Sequence, residues 1–207
     1  MPRRTKKEAE QTRQLLLETA LTLFAEKGIA GTSLKDIASA AGLTHGALYW
    51  HFKNRTDLVD ALYDECRFPL EDLFLDQLQS ARQDALESLG DFIIQWSQRA
   101  LTETRPASIW KVFHQGVAHT PELEAIASKI RDEHREWLHL LSKLIKKARK
   151  QKRIAHKPST NIDPVPAAVL GVIMGIIASV YNTGSGLVHA KQQTKFLSQH
   201  FIQGLKL

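Results

Sequence analysis

The sequence predicts an all-α protein, and three observations predict it. Apolar residues recur at spacings of three and four along nearly the whole chain, the period of amphipathic helices. No stretch alternates apolar and polar residues as a half-buried strand does, and no internal repeat is evident. Between residues 33 and 57, two short amphipathic stretches flank a glycine turn, the arithmetic of a helix-turn-helix. The 207 residues accommodate one small module and one larger domain. The boundary is expected at 54/55, with about nine helices in all.

The first helix is expected over 6–27, with Leu16, Ala20, Leu23 and Phe24 on one stripe and Gly28 closing it. A helix over about 33–41 follows, with Thr32 or Ser33 offering a capping hydroxyl. Leu34, Ile37, Ala38 and Ala41 share one of its faces. Ala38 must be small because two helices cross steeply there, and Gly42 sits where φ must turn positive. Leu43 plugs the turn, and Thr44 can cap a helix over 45–51 that Leu48 and Phe52 must hold from behind. Asn54 and Asp57 approximate a capping box for a helix over 55–80 carrying Leu58, Leu62, Leu70, Leu73 and Leu78, kinked at Pro69. Further helices are expected over 84–104, from Pro106 onward, and over 121–152, where Thr120 caps and Pro121 takes the first turn. After a loop at 156–166, the last two fall near 165–181 and 190–205.

The outward face of 45–51 carries the chemistry. Gly46 and Ala47 let a backbone approach base edges closely, and the Ala47 methyl can touch a thymine methyl. Tyr49, His51, Lys53 and Arg55 are donors suited to phosphate oxygens. Tyr49 and Trp50 form an exposed aromatic pair followed by Lys-Asn-Arg, for which a protein core offers no explanation. The expected DNA-binding residues are therefore Ser33, Lys35, Thr44, His45, Gly46, Ala47, Tyr49, Trp50, His51, Lys53 and Arg55.

The segments Thr12-Arg13-Gln14-Leu15-Leu16, Leu23-Phe24-Ala25-Glu26-Lys27-Gly28, Thr32-Ser33-Leu34, Gly42-Leu43-Thr44 and Gly46-Ala47-Leu48-Tyr49-Trp50-His51-Phe52-Lys53-Asn54 resemble the N-terminal signature of the TetR family of one-component repressors. The resemblance runs almost continuously over residues 10–60. Arg4 through Ala9 and Gly46 through Lys53 look most like the AcrR-type branch, which is associated with repression of multidrug efflux genes. His45 stands where Arg is frequent in that branch, so base preference does not carry over.

Charge is distributed unevenly. The net charge is +6, yet residues 143–157 contain Lys143, Lys146, Lys147, Arg149, Lys150, Lys152, Arg153 and Lys157 without an acid. Without those eight, 20 basic residues face 22 acidic ones. The run reads as the solvated C-terminal end of a helix, where cations are favoured. Residues 1–67 hold ten basic and nine acidic side chains. Attraction to DNA must therefore come from placement: Arg3, Arg4, Lys6 and Lys7 in the arm, and Lys53 and Arg55 by the motif. The single cysteine, Cys66, excludes an internal disulfide framework and fits a reducing cytoplasm. No His-Glu-x-x-His, Cys-x-x-Cys or glycine-rich phosphate loop occurs, so neither catalysis, a metal nor a cofactor is expected.

The second domain is expected to bind ligand and to dimerise. Phe92, Trp96, Trp110, Phe113, His114, Trp137 and Met174 are the expected lining of an apolar effector pocket between bundle helices. The run Val165–Tyr181 is slightly short for a bilayer span and reads as a helix buried within the protein and against a second subunit. Val169, Val172, Ile173, Ile176, Phe196 and Phe201 are the expected dimer contacts, within a four-helix interface. The expectation is a cytoplasmic repressor that binds a palindromic operator as a homodimer. A hydrophobic or amphipathic small molecule would release it, and an efflux system would be its target. The alternative is a helix-turn-helix regulator, activating or partner-recruiting, without small-molecule control.

Overall fold

Two tight backbone turns set the start of the chain: Gly28 and Gly42 have φ of 77° and 68°, a region glycine enters without strain. The computed structural model describes residues 5–66, 84–117, 120–154, 162–183 and 187–206, except the side chains of Gln115 and Leu187. The expected kink at Pro69, the helix beyond residue 66 with Leu70, Leu73 and Leu78, Arg3 and Arg4 of the arm, and most of the 156–166 loop lie outside these residues. Among the described residues every regular element is helical, and nine are α-helices.

The chain forms two compact units, Met1–Arg67 with Ser108–Ile130, and Phe68–Ala107 with Arg131–Leu207. In the first, α1 (Lys6–Lys27) begins in a reciprocal capping box between Thr5 and Glu8 and buries Leu16, Leu17, Ala20, Leu21 and Phe24. α2 (Leu34–Ala40) and α3 (His45–His51) pack on each other, and α1 packs on both α2 and α4 (Arg55–Cys66). α4 buries Leu58, Val59, Leu62, Tyr63 and Cys66. The Asn54 side chain accepts from the Asp57 N–H at 2.8 Å, as expected of a cap. The Asp57 carboxylate, however, accepts from the N–H of Lys53 rather than of Asn54, one residue earlier than a capping box requires.

The rest of the first unit comes from much later in the sequence. α6 (Thr104–Trp110) passes into a π-helical turn, Lys111–Gly116, which packs on α1. Thr120 does not cap the next helix; its hydroxyl donates to the Gly116 carbonyl at 3.0 Å. Pro121–Leu123 forms a single 3-10 turn, and α7 runs over Glu124–Lys150.

In the second unit, α5 (Ala85–Thr102) packs against α8 (Val165–Thr183) and α9 (Leu187–Leu205), which also pack on each other. Asp84 caps α5 by accepting from the N–H groups of Leu86 and Glu87 at 3.0 and 3.1 Å. It also pairs with Arg153. Burial pushes the Asp84 carboxyl up, but bonds from the Glu87 N–H, Arg153 and the Leu86 N–H outweigh it and hold the group below the usual carboxylate value. Arg149 pairs with Asp163. The basic run is therefore not wholly solvated: two of its cations fasten the end of α7 to α5 and to the approach to α8. Helical periodicity concealed this, because the acids lie 14 and 69 positions from their partners, outside the reach of a helix's own neighbours.

Candidate nucleic-acid interface

α3 has seven residues, too few to stay helical alone in water. Thr44 starts it by accepting from the Ala47 N–H at 3.2 Å. Leu48 and Phe52, 0% and 2% exposed, anchor its inner side. The turn before it is fixed by Gly42 and by a 2.9 Å bond from the Leu43 N–H to the Ala38 carbonyl. Ala38 is buried at that crossing, where a larger side chain would force the helices apart. α2 is held by Ser33, whose hydroxyl accepts from the Asp36 N–H at 3.1 Å and donates to the Asp36 carboxylate at 2.6 Å. Those Ser33 bonds hold the Asp36 carboxyl below the usual range.

The anchoring turns His45, Gly46, Tyr49 and Trp50 outward, all exposed, with Trp50 the most open large apolar side chain beside the turn at 72%. His45 and Tyr49 pack edge-on, ring centroids 4.7 Å apart, so the two rings brace one another along the outer face. Lys35 and Lys53 are exposed, while Ala47 and His51 are half-buried. A side chain added at Gly46 would meet nothing within 4 Å, and its φ is not positive. Neither packing nor turn geometry inside the protein requires glycine there. Glycine in a helix interior costs about 1 kcal/mol relative to alanine. What the bare backbone provides is room for something outside the protein to come close.

The structure gathers ten of the eleven expected DNA-facing residues around α2, α3 and the turn after it. Two of these ten already serve the fold through their hydroxyls, Ser33 and Thr44, as helix caps. Arg55 is the eleventh, half-buried at the start of α4. Its guanidinium donates to the Ile29 carbonyl and to Glu122, each at 3.4 Å, because the first turn of α4 faces that loop.

The seven expected effector residues are divided between the two units. Phe92, Trp96 and Trp137 pack together in the second unit, with ring centroids 5.5–6.5 Å apart. Met174 lies half-buried on α8. Trp110, Phe113 and His114 belong to the first unit, where Trp110 stacks on His114 at 4.2 Å and Phe113 meets Tyr63 edge-on at 5.3 Å. An open groove of about 360 Å³ between α5 and α9 is lined by Asp84, Asp91, Arg153, Gln199 and Lys206 among others, and by none of the seven. Sequence reading missed Ser97, whose hydroxyl is wholly buried beside Trp96 in the chain and has no hydrogen-bond partner among the described residues. The indole N–H of Trp110 is likewise buried and unpartnered. An isolated serine in an amphipathic helix carries no signal that could have flagged it.

The expected dimer contacts also divide. Val169, Ile173 and Ile176 are 0–2% exposed, buried in the second unit's own core, and so are not available to a partner. Val172 and Phe201 are half-buried, and Phe196 is 58% exposed. α8 is apolar on every side, so sequence does not distinguish its inner face from its outer one. The outer face carries Ala168, Gly171 and Gly175, and a side chain added at either glycine would meet nothing within 4 Å.

Comparison with known proteins agrees with this geometry. Residues 16–62 match the family model described as bacterial regulatory proteins, tetR family. The HTH-type transcriptional regulator AcrR of Shigella flexneri is 38% identical over 116 residues, which are 56% of this chain and 54% of that protein's length. The probable acrEF/envCD operon repressor of Escherichia coli K12 is 30% identical over 178 residues, 86% of this chain and 79% of that protein. The crystal structure of native NalD, the secondary repressor of the MexAB-OprM multidrug efflux pump in Pseudomonas aeruginosa, superposes with a TM-score of 0.78. The two sequences are 28% identical, and the superposition covers 96% of this chain and 98% of NalD.

Two outcomes follow from these placements. Gly46→Ala raises stability toward urea by about 0.5–1 kcal/mol, since a methyl there relieves the helix without a clash. Ser97→Ala raises the melting temperature of the ligand-free protein, because it removes a buried hydroxyl whose desolvation of about 1–3 kcal/mol is uncompensated.

Proposed function

Because the chain belongs to the TetR family of bacterial regulatory proteins, we propose that it is a ligand-responsive transcriptional repressor of an efflux system, acting on operator DNA as a dimer in the cytoplasm. The observation that carries the reading is the outward face of α3. A bare backbone at Gly46 is flanked by His45, Ala47, Tyr49 and Trp50, on a helix held rigid from behind. Gly46 and Ala47 approach base edges, with His45 beside them as the base-reading donor. Tyr49, Lys35 and Lys53 serve phosphates, with the half-buried His51 and Arg55 beside them. The DNA-reading helices lie within residues 1–54 in this scheme, backed by the rest of the first compact unit, and effector binding and dimerisation fall to the remaining chain.

Dimerisation places two copies of α3 in successive major grooves, roughly 34–36 Å apart. The outer faces of α8 and α9, through Ala168, Gly171, Val172, Gly175 and Phe196, are the surface for the second copy. The paired glycines permit close helix approach. A hydrophobic or amphipathic molecule engages aromatic groups of the second unit, Phe92, Trp96 and Trp137. It weakens operator binding by as much as it prefers the state in which the two α3 helices are wrongly spaced.

The test begins with a duplex selected from a random pool by the wild-type protein. Tyr49→Ala and Lys53→Ala weaken binding to all duplexes by a similar factor, and Lys53→Ala lowers the salt slope by about one. His45→Ala instead changes the selected sequence. A bile-type amphiphile or a cationic dye that raises the melting temperature lowers operator affinity. If compounds bind and none alters DNA affinity, the chain is a regulator without small-molecule control. Gly175→Arg leaves helicity unchanged, since Gly175 is exposed and a Cβ there meets nothing within 4 Å, and converts dimer to monomer by light scattering.

A further inference from the structure

The helix-turn-helix unit is not confined to the first 67 residues; Ser108–Ile130 completes it. The contacts that join this later stretch to α4 are oriented by charge. α4 carries Arg55 in its first turn and Asp60 and Asp64 on its later ones. The later stretch carries Glu122 and then Lys129, the opposite order of signs. Arg55 meets Glu122 at 3.4 Å. The Lys129 ammonium donates to Asp60 at 2.6 Å and to Asp64 at 3.1 Å, bridging carboxylates one helical turn apart. The two pairings lie seven residues apart on the later stretch and five to nine apart on α4, so only one register of the two satisfies both.

An apolar contact lies beside the charges. Tyr63, between the two aspartates, is 7% exposed and meets Phe113 of the π-helical turn edge-on. The Lys129 ammonium lies 6.0 Å from the centre of the same tyrosine ring. Gly116 adds a further contact with α1's side of the unit: a side chain there would stand 3.4 Å from Ile29, whose carbonyl receives Arg55. The bonds to Asp60 and Asp64 keep Lys129 more strongly protonated than a free lysine, although partial burial opposes this.

We infer that Lys129, acting through Asp60 and Asp64, is a positioning residue for operator binding, holding α4 in the register that lets α1 support the recognition helix. Exposed ion pairs individually add little stability. Their part here is to choose one register over its neighbours, as complementary charges do between paired helices. The inference rests on the DNA-binding reading, and its test separates the two.

The sign of the charge change makes the test sharp. Asp60→Asn with Asp64→Asn removes two negative charges from a DNA-binding unit, so the field alone would tighten DNA binding. The clamp requires the opposite. Both Lys129→Met and the double asparagine variant should weaken binding to the selected duplex by roughly three- to ten-fold, and the triple variant should lose no more than either, because the groups act as one unit. Lys129→Arg should retain affinity. The salt slope should be unchanged in Lys129→Met, since this lysine releases no counterion from DNA. Tighter or unaltered binding by the double asparagine variant overturns the inference. A second readout needs no DNA: amide hydrogen exchange over Asp60–Cys66 should quicken in Lys129→Met, and unchanged exchange also overturns it. Failure of the wild type to select any duplex would overturn the regulator reading instead, with the exchange experiment still deciding the clamp.

Discussion

A helix of seven residues does not hold itself together, and everything α3 presents to the outside depends on Leu48 and Phe52 fixing it from behind. Those two side chains are buried because the turn before them is so tight: Gly42 takes the φ that other residues avoid, and Ala38 is small enough for α2 to cross close by. The rigidity has a consequence for the outer face. A rigid helix can spend its exposed positions on chemistry, so it tolerates a glycine at 46 and an open indole at 50 that a self-supporting helix would not retain.

The near-neutral charge of the first 67 residues is the companion constraint. With ten basic and nine acidic side chains there, a strong general attraction to phosphate is not available. Acidic groups are instead consumed within the fold. Asp36 receives Ser33, Asp57 receives the backbone of Lys53, and Asp60 and Asp64 receive Lys129. Lys35 and Lys53 remain exposed on the α2–α3 side. Local placement of these two cations, rather than an excess of bases, is what that side offers to phosphate.

The second unit shows the same economy with apolar surface. α8 satisfies the length and hydropathy of a bilayer span, yet Val165, Val169, Ile173, Ile176, Ile177 and Val180 form a buried stripe against the unit's own helices. The remaining face is lined with alanine and glycine rather than with leucine. Small residues on an exposed apolar face suit close contact with another helix better than contact with water.

The helices themselves were legible in the sequence because their determinants are local. Periodicity, Thr44, Gly28 and Gly42 located α1 to α3 within a residue or so, and the outward set from His45 to Trp50 followed from the same periodicity. Sequence could not decide which partner a side chain takes. Arg55 looked like a phosphate donor and turned to Ile29 and Glu122; Arg149 and Arg153 looked solvated and found Asp163 and Asp84. Val169, Ile173 and Ile176 were indistinguishable from the outer residues of α8, since a helix apolar all round carries no directional signal. The expected effector residues are divided between the two units, which the periodicity of each helix by itself does not reveal. Local rules act over one or two helical turns, whereas the partners of those arginines lie 14 to 69 positions away, and only the folded chain brings them together.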